Sequence, residues 1–157
     1  SWRTFISVPV DPSIMVRDRY FEEIAEGEHT QSRGRTITEA DLVNFAGVSG
    51  DFHPLHTDAE HAAQSSFSER IAHGLLVLSV SAALAMEYNE HAFFYGFETI
   101  RFVNPTFIGD TISVKTEVVE TVEKSDEYGR VVTHAEATNQ DGEMVLIYDL
   151  IELLERE

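Results

Sequence analysis

The sequence predicts an α+β fold in which one long apolar helix is wrapped by a curled antiparallel sheet. Two observations predict it. Residues 74–86, GLLVLSVSAALAM, are apolar on every face, with only Ser79 and Ser81 as interruptions. A helix that is hydrophobic all round belongs inside a protein, and a strand of this length and alanine content is disfavoured. After Tyr88 the texture changes to four runs rich in β-branched and aromatic residues, 93–107, 111–122, 130–140 and 143–154. Strands that follow helices along a chain suggest α+β, and a curled sheet is the natural cover for such a helix.

The elements follow in order. Residues 1–19 show no clean period and contain two prolines; they read as an N-terminal extension lying on a single domain over 20–157. A short lead-in from Tyr20 precedes a strand around 28–37. Thr38 and Asp41 have capping-box spacing, and Leu42, Phe45 and Ala46 follow at helical spacing, so 39–46 is a short helix. Gly47 and Gly50 break it. A second helix is expected over 57–64, capped by Thr57 or Asp58, with Glu60 answering Thr57. His73 and Gly74 open the apolar helix. In the strand region Ile112, Val114 and Val118 alternate with Ser113, Lys115 and Glu117, the period of a half-buried strand. The four runs read as a meander, and Asp141-Gly142 marks a hairpin turn. No repeat or second-domain boundary is visible.

Composition excludes several function classes. The chain has 157 residues, about one domain, and 43% are apolar. It carries 28 acids against 11 bases, a net charge of −17, which argues against nucleic acid because phosphate neutralisation needs Lys and Arg. Cysteine is absent, so disulfides, thiolate metal sites and cysteine nucleophiles are excluded. The longest apolar run holds 13 residues against the ~20 that a membrane-spanning helix needs. No basic segment followed by an apolar core marks a signal peptide, and a cytoplasmic setting fits.

The stretch GVSGDFHPLH, residues 47–56, concentrates polar chemistry in one loop. Pro54 stiffens it and holds His53 near extended geometry. Gly50 permits a positive φ beside the acid. Such a loop can aim Asp51 and His56 at one point, where a carboxylate and an imidazole facing one water could share general acid and base work. A solvated Asp and a helix-capping His would leave the same trace. A metal set of Asp51, His53, His56 and His61, with Asp58 near, lacks an HExxH or cysteine pattern, and Pro54 would interrupt a regular turn between the two histidines. No GxSxG elbow is present.

Four stretches together resemble the MaoC-like dehydratases, the R-specific enoyl-CoA hydratases. FAGVSGDFHPLHTDAEHA (45–62) is similar to the hydratase-2 motif, RIAHGLLVLS (70–79) to the lead into the family's central helix, RFVNPTFIGDTI (101–112) to its Pro and Gly-Asp segment, and YFEEIAEGE (20–28) to its opening. The likeness covers about 20–154. It implies a hot-dog fold with a central helix over about 74–88, and a homodimer, or a dimer of dimers, joined sheet edge to sheet edge. It implies that Asp51 and His56 are the catalytic pair. They would hold one water, one taking its proton as it attacks C3 of a trans-2-enoyl thioester, the other protonating C2, to give an (R)-3-hydroxyacyl product. The acyl carrier is CoA or acyl carrier protein. No cofactor or metal is implied, nor a membrane or nucleic-acid partner.

Addition to an enoyl thioester places negative charge on the thioester oxygen, and a well-placed donor for it is worth ~3 kcal/mol. Gly74, at the start of the buried helix, has an N–H unpaired within the helix, in the positive end of the dipole. It is either a helix-start residue or the oxyanion donor, and the likeness favours the second. His53, Pro54 and His73 complete the expected oxyanion and substrate-binding set. Two positions depart from the family: His53 stands where Asn is usual, and Ala82, with Ser79 and Ser81 nearby, where some members carry serine. A hot-dog acyl-CoA thioesterase is the competing enzyme reading, set back by a central helix with no acid before Glu87. A non-catalytic partner subunit is the other, set back by the presence of both Asp51 and His56.

Overall fold

The computed structural model describes residues 17–86 and 88–157. Most of the expected extension, residues 1–16, lies outside the described residues. Its last residues are fixed: Arg17 forms a parallel bridge with Asn89, and Arg19 pairs with Glu28 at 2.7 Å.

Six strands form one sheet. The expected strand over 28–37 is split into β1 (His29–Gln31) and β2 (Arg35–Thr36), each pairing with β4 (Thr111–Glu123). The split falls where Ser32 Oγ accepts from Val114 N–H at 2.8 Å. At Gly34 a Cβ would lie 2.9 Å from the Thr111 methyl, so only glycine lets the chain pass. The remaining strands are β3 (Ala92–Phe102), β5 (Tyr128–Thr138) and β6 (Met144–Glu155). Their order, β1-β4-β5-β6-β3, is not the four-run meander expected. Only β4, β5 and β6 form one, while β3 pairs with β6 at the far edge. The first run stops at Phe102, before Pro105, which has no N–H to give a ladder. The connection that follows is tied elsewhere: Thr106 O accepts from Ala72 N–H at 2.7 Å, and Ile37 O from Gly109 N–H at 2.7 Å. Asp141-Gly142 does turn the β5–β6 hairpin, with Gly142 at φ 77°.

The first helix starts where expected but runs on through Gly47 to Ser49. α1 (Glu39–Ser49) begins with the Thr38–Asp41 capping box, Thr38 Oγ1 accepting from Asp41 N–H at 3.2 Å and Asp41 Oδ2 from Thr38 N–H at 2.8 Å. Arg35 ties the same carboxylate to β2 at 2.9 Å and holds its pKa at about 2. The single helix expected over 57–64 is two turns, α2 (Pro54–Thr57) and α3 (Ala59–Ala63). Asp58 caps α3 by accepting from His61 N–H at 3.0 Å. Glu60 therefore does not answer Thr57, whose hydroxyl instead donates to Phe52 and His53 carbonyls.

α4 (Gly74–Ala85) lies against one face of the sheet, which is the hot-dog arrangement. Leu76, Val77, Leu78, Ser81, Ala82 and Ala85 are buried, and Leu76, Val77, Leu78 and Ala85 share one core cluster with Ile112, Val114, Leu146, Tyr148 and Leu150. Fully burying a large aliphatic side chain contributes about 1.5–3 kcal/mol, so this contact is the main cohesive term. The helix is not buried all round: Leu75 is 63% exposed, and Ser79 and Ala83 share its open stripe. A single sheet covers only the face turned to it.

Candidate active site

The loop after α1 is built by local hydrogen bonds. Gly50 ends the helix in the left-handed region, φ 79°, a conformation that glycine adopts without strain. Asp51 N–H donates to Ser49 Oγ at 3.1 Å, and His53 N–H donates to Asp51 Oδ1 at 3.2 Å. One carboxylate oxygen is thereby fixed by the backbone. The other, Oδ2, stands 4.0 Å from His56 Nε2.

Pro54 acts opposite to the expectation that it would interrupt a turn: it starts α2. At the first helical position its missing N–H has no intrahelical role and its fixed φ suits the helix. His53 is extended, φ −54° and ψ 135°, as a residue before proline should be. Its Nδ1 caps α2 by accepting from Leu55 N–H at 3.1 Å, and its carbonyl accepts from His56 N–H at 2.9 Å. The His53 ring is 5.9 Å from that of His56.

His56 is oriented by a partner 15 positions away: its Nδ1 lies 2.7 Å from Ile71 O. A carbonyl only accepts, so Nδ1 carries the proton and neutral His56 offers a bare Nε2 toward Asp51. Burial pushes the His56 pKa below its usual 6.5. The bond to Ile71 O opposes this, His73 adds to it, Asp51 opposes it and His53 adds to it. His73, 2% exposed, stacks on His56 at 3.8 Å with the planes 29° apart. Its Nε2 donates to the Asp51 carbonyl at 2.9 Å, which leaves Nδ1 a buried acceptor with no hydrogen-bond partner. His73 thus joins the start of α4 to the loop that carries the acid.

The metal set of Asp51, His53, His56 and His61 is not gathered. Asp51, His56 and His73 do come within 4.8 Å through their ligand atoms.

Gly74 is the first residue of α4 and His73 its N-cap. A Cβ on Gly74 would meet the Phe102 ring at 3.1 Å, so the glycine admits that ring against the helix start. A cleft of about 360 Å³ opens beside it, lined by Phe67, Ile71, Val77, Phe102, Val103 and Val145 among others. Neither helix serine joins the Asp51–His56 pair: Ser79 Oγ donates to Leu75 O, and Ser81 Oγ is bonded to Tyr148 OH at 2.9 Å. Ala82 is buried. Sequence reasoning missed the Ile71 carbonyl and Phe102. A backbone acceptor leaves no residue-type signal, and Phe102 reads as an ordinary strand aromatic.

Comparison with known proteins supplies the wider frame. A family model described as "MaoC like domain" matches residues 21–140. The (R)-specific enoyl-CoA hydratase of Rhodospirillum rubrum is 34% identical over 129 residues, 76% of this chain and 89% of that protein. Protein MaoC of Klebsiella aerogenes is 43% identical over 99 residues, 62% of this chain but only 30% of that longer protein. The crystal structure of a protein described as a monoamine oxidase regulatory protein from Archaeoglobus fulgidus superposes with a TM-score of 0.86 at 38% identity, covering 92% of this chain and 99% of that one. No helix among the described residues is long and apolar enough to cross a membrane.

Proposed function

The chain belongs to the MaoC-like domain family, and on that premise we propose that it adds water reversibly across the double bond of a trans-2-enoyl-CoA to give the (R)-3-hydroxyacyl-CoA. The observation that carries this reading is the pair of acceptors, Asp51 Oδ2 and bare His56 Nε2, 4.0 Å apart. That gap is too long for a direct hydrogen bond and suits one bridging water. A water giving one hydrogen to each acceptor turns its oxygen lone pair outward. One acceptor takes the proton as the oxygen attacks C3, and the pair hands a proton to C2 from the same side, so that H and OH add syn. Negative charge on the thioester oxygen falls to the Gly74 N–H and the positive end of α4. His53 and Pro54 hold the turn that carries His56, and His73 backs its ring.

The name of the Rhodospirillum rubrum relative supports the enoyl-CoA substrate. A thioesterase built on a helix carboxylate fits less well, because α4 contains no Asp or Glu. The chain is further proposed to work as a homodimer. β3 is an edge strand whose Phe94, Tyr95, Ile100 and Phe102 are 40–57% exposed. An open apolar edge of this kind pairs readily with another strand.

Purified chain, assayed alone with crotonyl-CoA and resolved for products, tests the reading. It is expected to yield (R)-3-hydroxybutyryl-CoA. Release of free CoA in place of hydration would establish the thioesterase, and no turnover by a folded dimer would establish a non-catalytic subunit.

A further inference from the structure

His73 is a buried titratable side chain to which the hydration gives no proton to carry. It is 2% exposed and packs against two elements besides its own α4. Its ring centroid is 5.0 Å from that of Phe45 on α1 and 3.8 Å from that of His56 on α2. Its Nε2 donates to the Asp51 carbonyl at 2.9 Å, 22 residues back along the chain. With the proton on Nε2, Nδ1 is a buried acceptor without a hydrogen-bond partner, and such an atom costs stability. Phenylalanine would fill the same place against Phe45 and His56 without that cost. What it would lack is the donor, so the bond to Asp51 is what the imidazole contributes beyond packing.

Asp51 stands in need of that bond. Its side chain is 51% exposed, it follows Gly50 in the left-handed region, and its N–H is tied to Ser49 Oγ, two residues away, at 3.1 Å. We propose that His73 is a positioning residue: its Nε2–H anchors the Asp51 backbone to the start of α4 and keeps Asp51 Oδ2 at water-bridging distance from His56 Nε2. The inference rests on the hydratase reading. Gly74 is the next residue, so the same anchor fixes the acid relative to the oxyanion donor. Being buried, His73 acts through Asp51 and not on the substrate.

The test compares three substitutions by crotonyl-CoA kinetics. Gln brings its amide nitrogen near the place of Nε2 and keeps the donor; Asn reaches only the place of Nδ1; Phe keeps the ring and loses the donor. His73→Gln is expected to retain most of kcat. His73→Asn and His73→Phe should lose about tenfold or more with KM little changed, since misplacing a reacting group by about 1 Å can cost ~10²-fold. A side chain that only filled space would be replaced best by Phe. Folded His73→Phe that turns over as wild type, or His73→Gln that falls as far as His73→Phe, overturns the proposal. A second readout needs no turnover. Burial lowers the His56 pKa and the Asp51 charge opposes it, so Asp51→Asn should lower the His56 titration, followed by NMR, in otherwise wild-type chain and much less in the His73→Phe background. An equal shift in both backgrounds, or none in either, removes the anchor even where hydration is confirmed. A shift lost only in the His73→Phe background, without turnover of any enoyl-CoA by wild type, upholds the anchor and removes the hydratase. Where His73→Phe does not fold, the nitrogen NMR spectrum of wild type decides: a His73 ring proton on Nε2 upholds the bond to Asp51, and one on Nδ1 alone overturns it.

Discussion

At position 53 an imidazole does the work of a short polar cap. His53 Nδ1 accepts from Leu55 N–H, a bond that the carboxamide oxygen of Asn makes equally well at a helix start. His53→Asn keeps an acceptor for that bond and is therefore expected to keep most activity, read as kcat/KM. Loss as complete as in His56→Ala would place His53 in the catalytic set. His56 has its own pH signature. Burial lowers its pKa below 6.5, so the bare Nε2 persists to lower pH than in a solvated imidazole, and the acid limb of the profile should lie below 6.5. An acid limb above 6.5 would contradict that environment. The approach of Asp51 to His56 was legible because both lie within six residues of chain. The Ile71 carbonyl and the His73 stack were not, because they depend on how α4 meets the loop.

Among the elements, α1 shows how firmly a local pattern can be fixed. The Thr38–Asp41 box is written in four residues, and Arg35 adds a charge to it. The Asp41 carboxyl is at about 2 in the folded chain against an ordinary value of 3.8, and its side chain is mostly buried. Its contribution, about 2 kcal/mol at most, is fully present above the unfolded value and is lost as pH falls toward 2. Asp41→Asn should remove that pH dependence from urea unfolding between about pH 4 and 2, and Thr38→Ala should cost about 1 kcal/mol. An Asp41→Asn chain with an unchanged stability profile over that window would refute the pair's role. The α2–α3 boundary was less legible, since Thr57 and Asp58 are both good caps and the His53-Pro54 turn decides between them. The place of β3 was not legible at all. Alternation identifies a strand but not its neighbour, and β3 is placed by the 103–110 connection to Ala72 and Ile37.

For the whole molecule, the apolar β3 edge and the open stripe of α4 at Leu75, Ser79 and Ala83 call for a covering partner, which the apolar sequence of the helix hid by looking fully buried. A net charge of −17 opposes that association by self-repulsion. The chain is expected to sediment as a dimer that tightens with added salt, since screening shortens the repulsion, and Phe94→Lys should weaken it. A monomer at micromolar concentration and physiological salt would contradict the edge pairing. The central claim, that Asp51 and His56 together activate the water, is met most directly by the crotonyl-CoA hydration rate of Asp51→Asn, compared with wild type after circular dichroism and sedimentation confirm the same fold and assembly. Asn keeps the shape of the side chain and removes its charge, and the predicted loss is ~10²-fold or more. A folded Asp51→Asn chain that hydrates crotonyl-CoA at a near wild-type rate would contradict the mechanism.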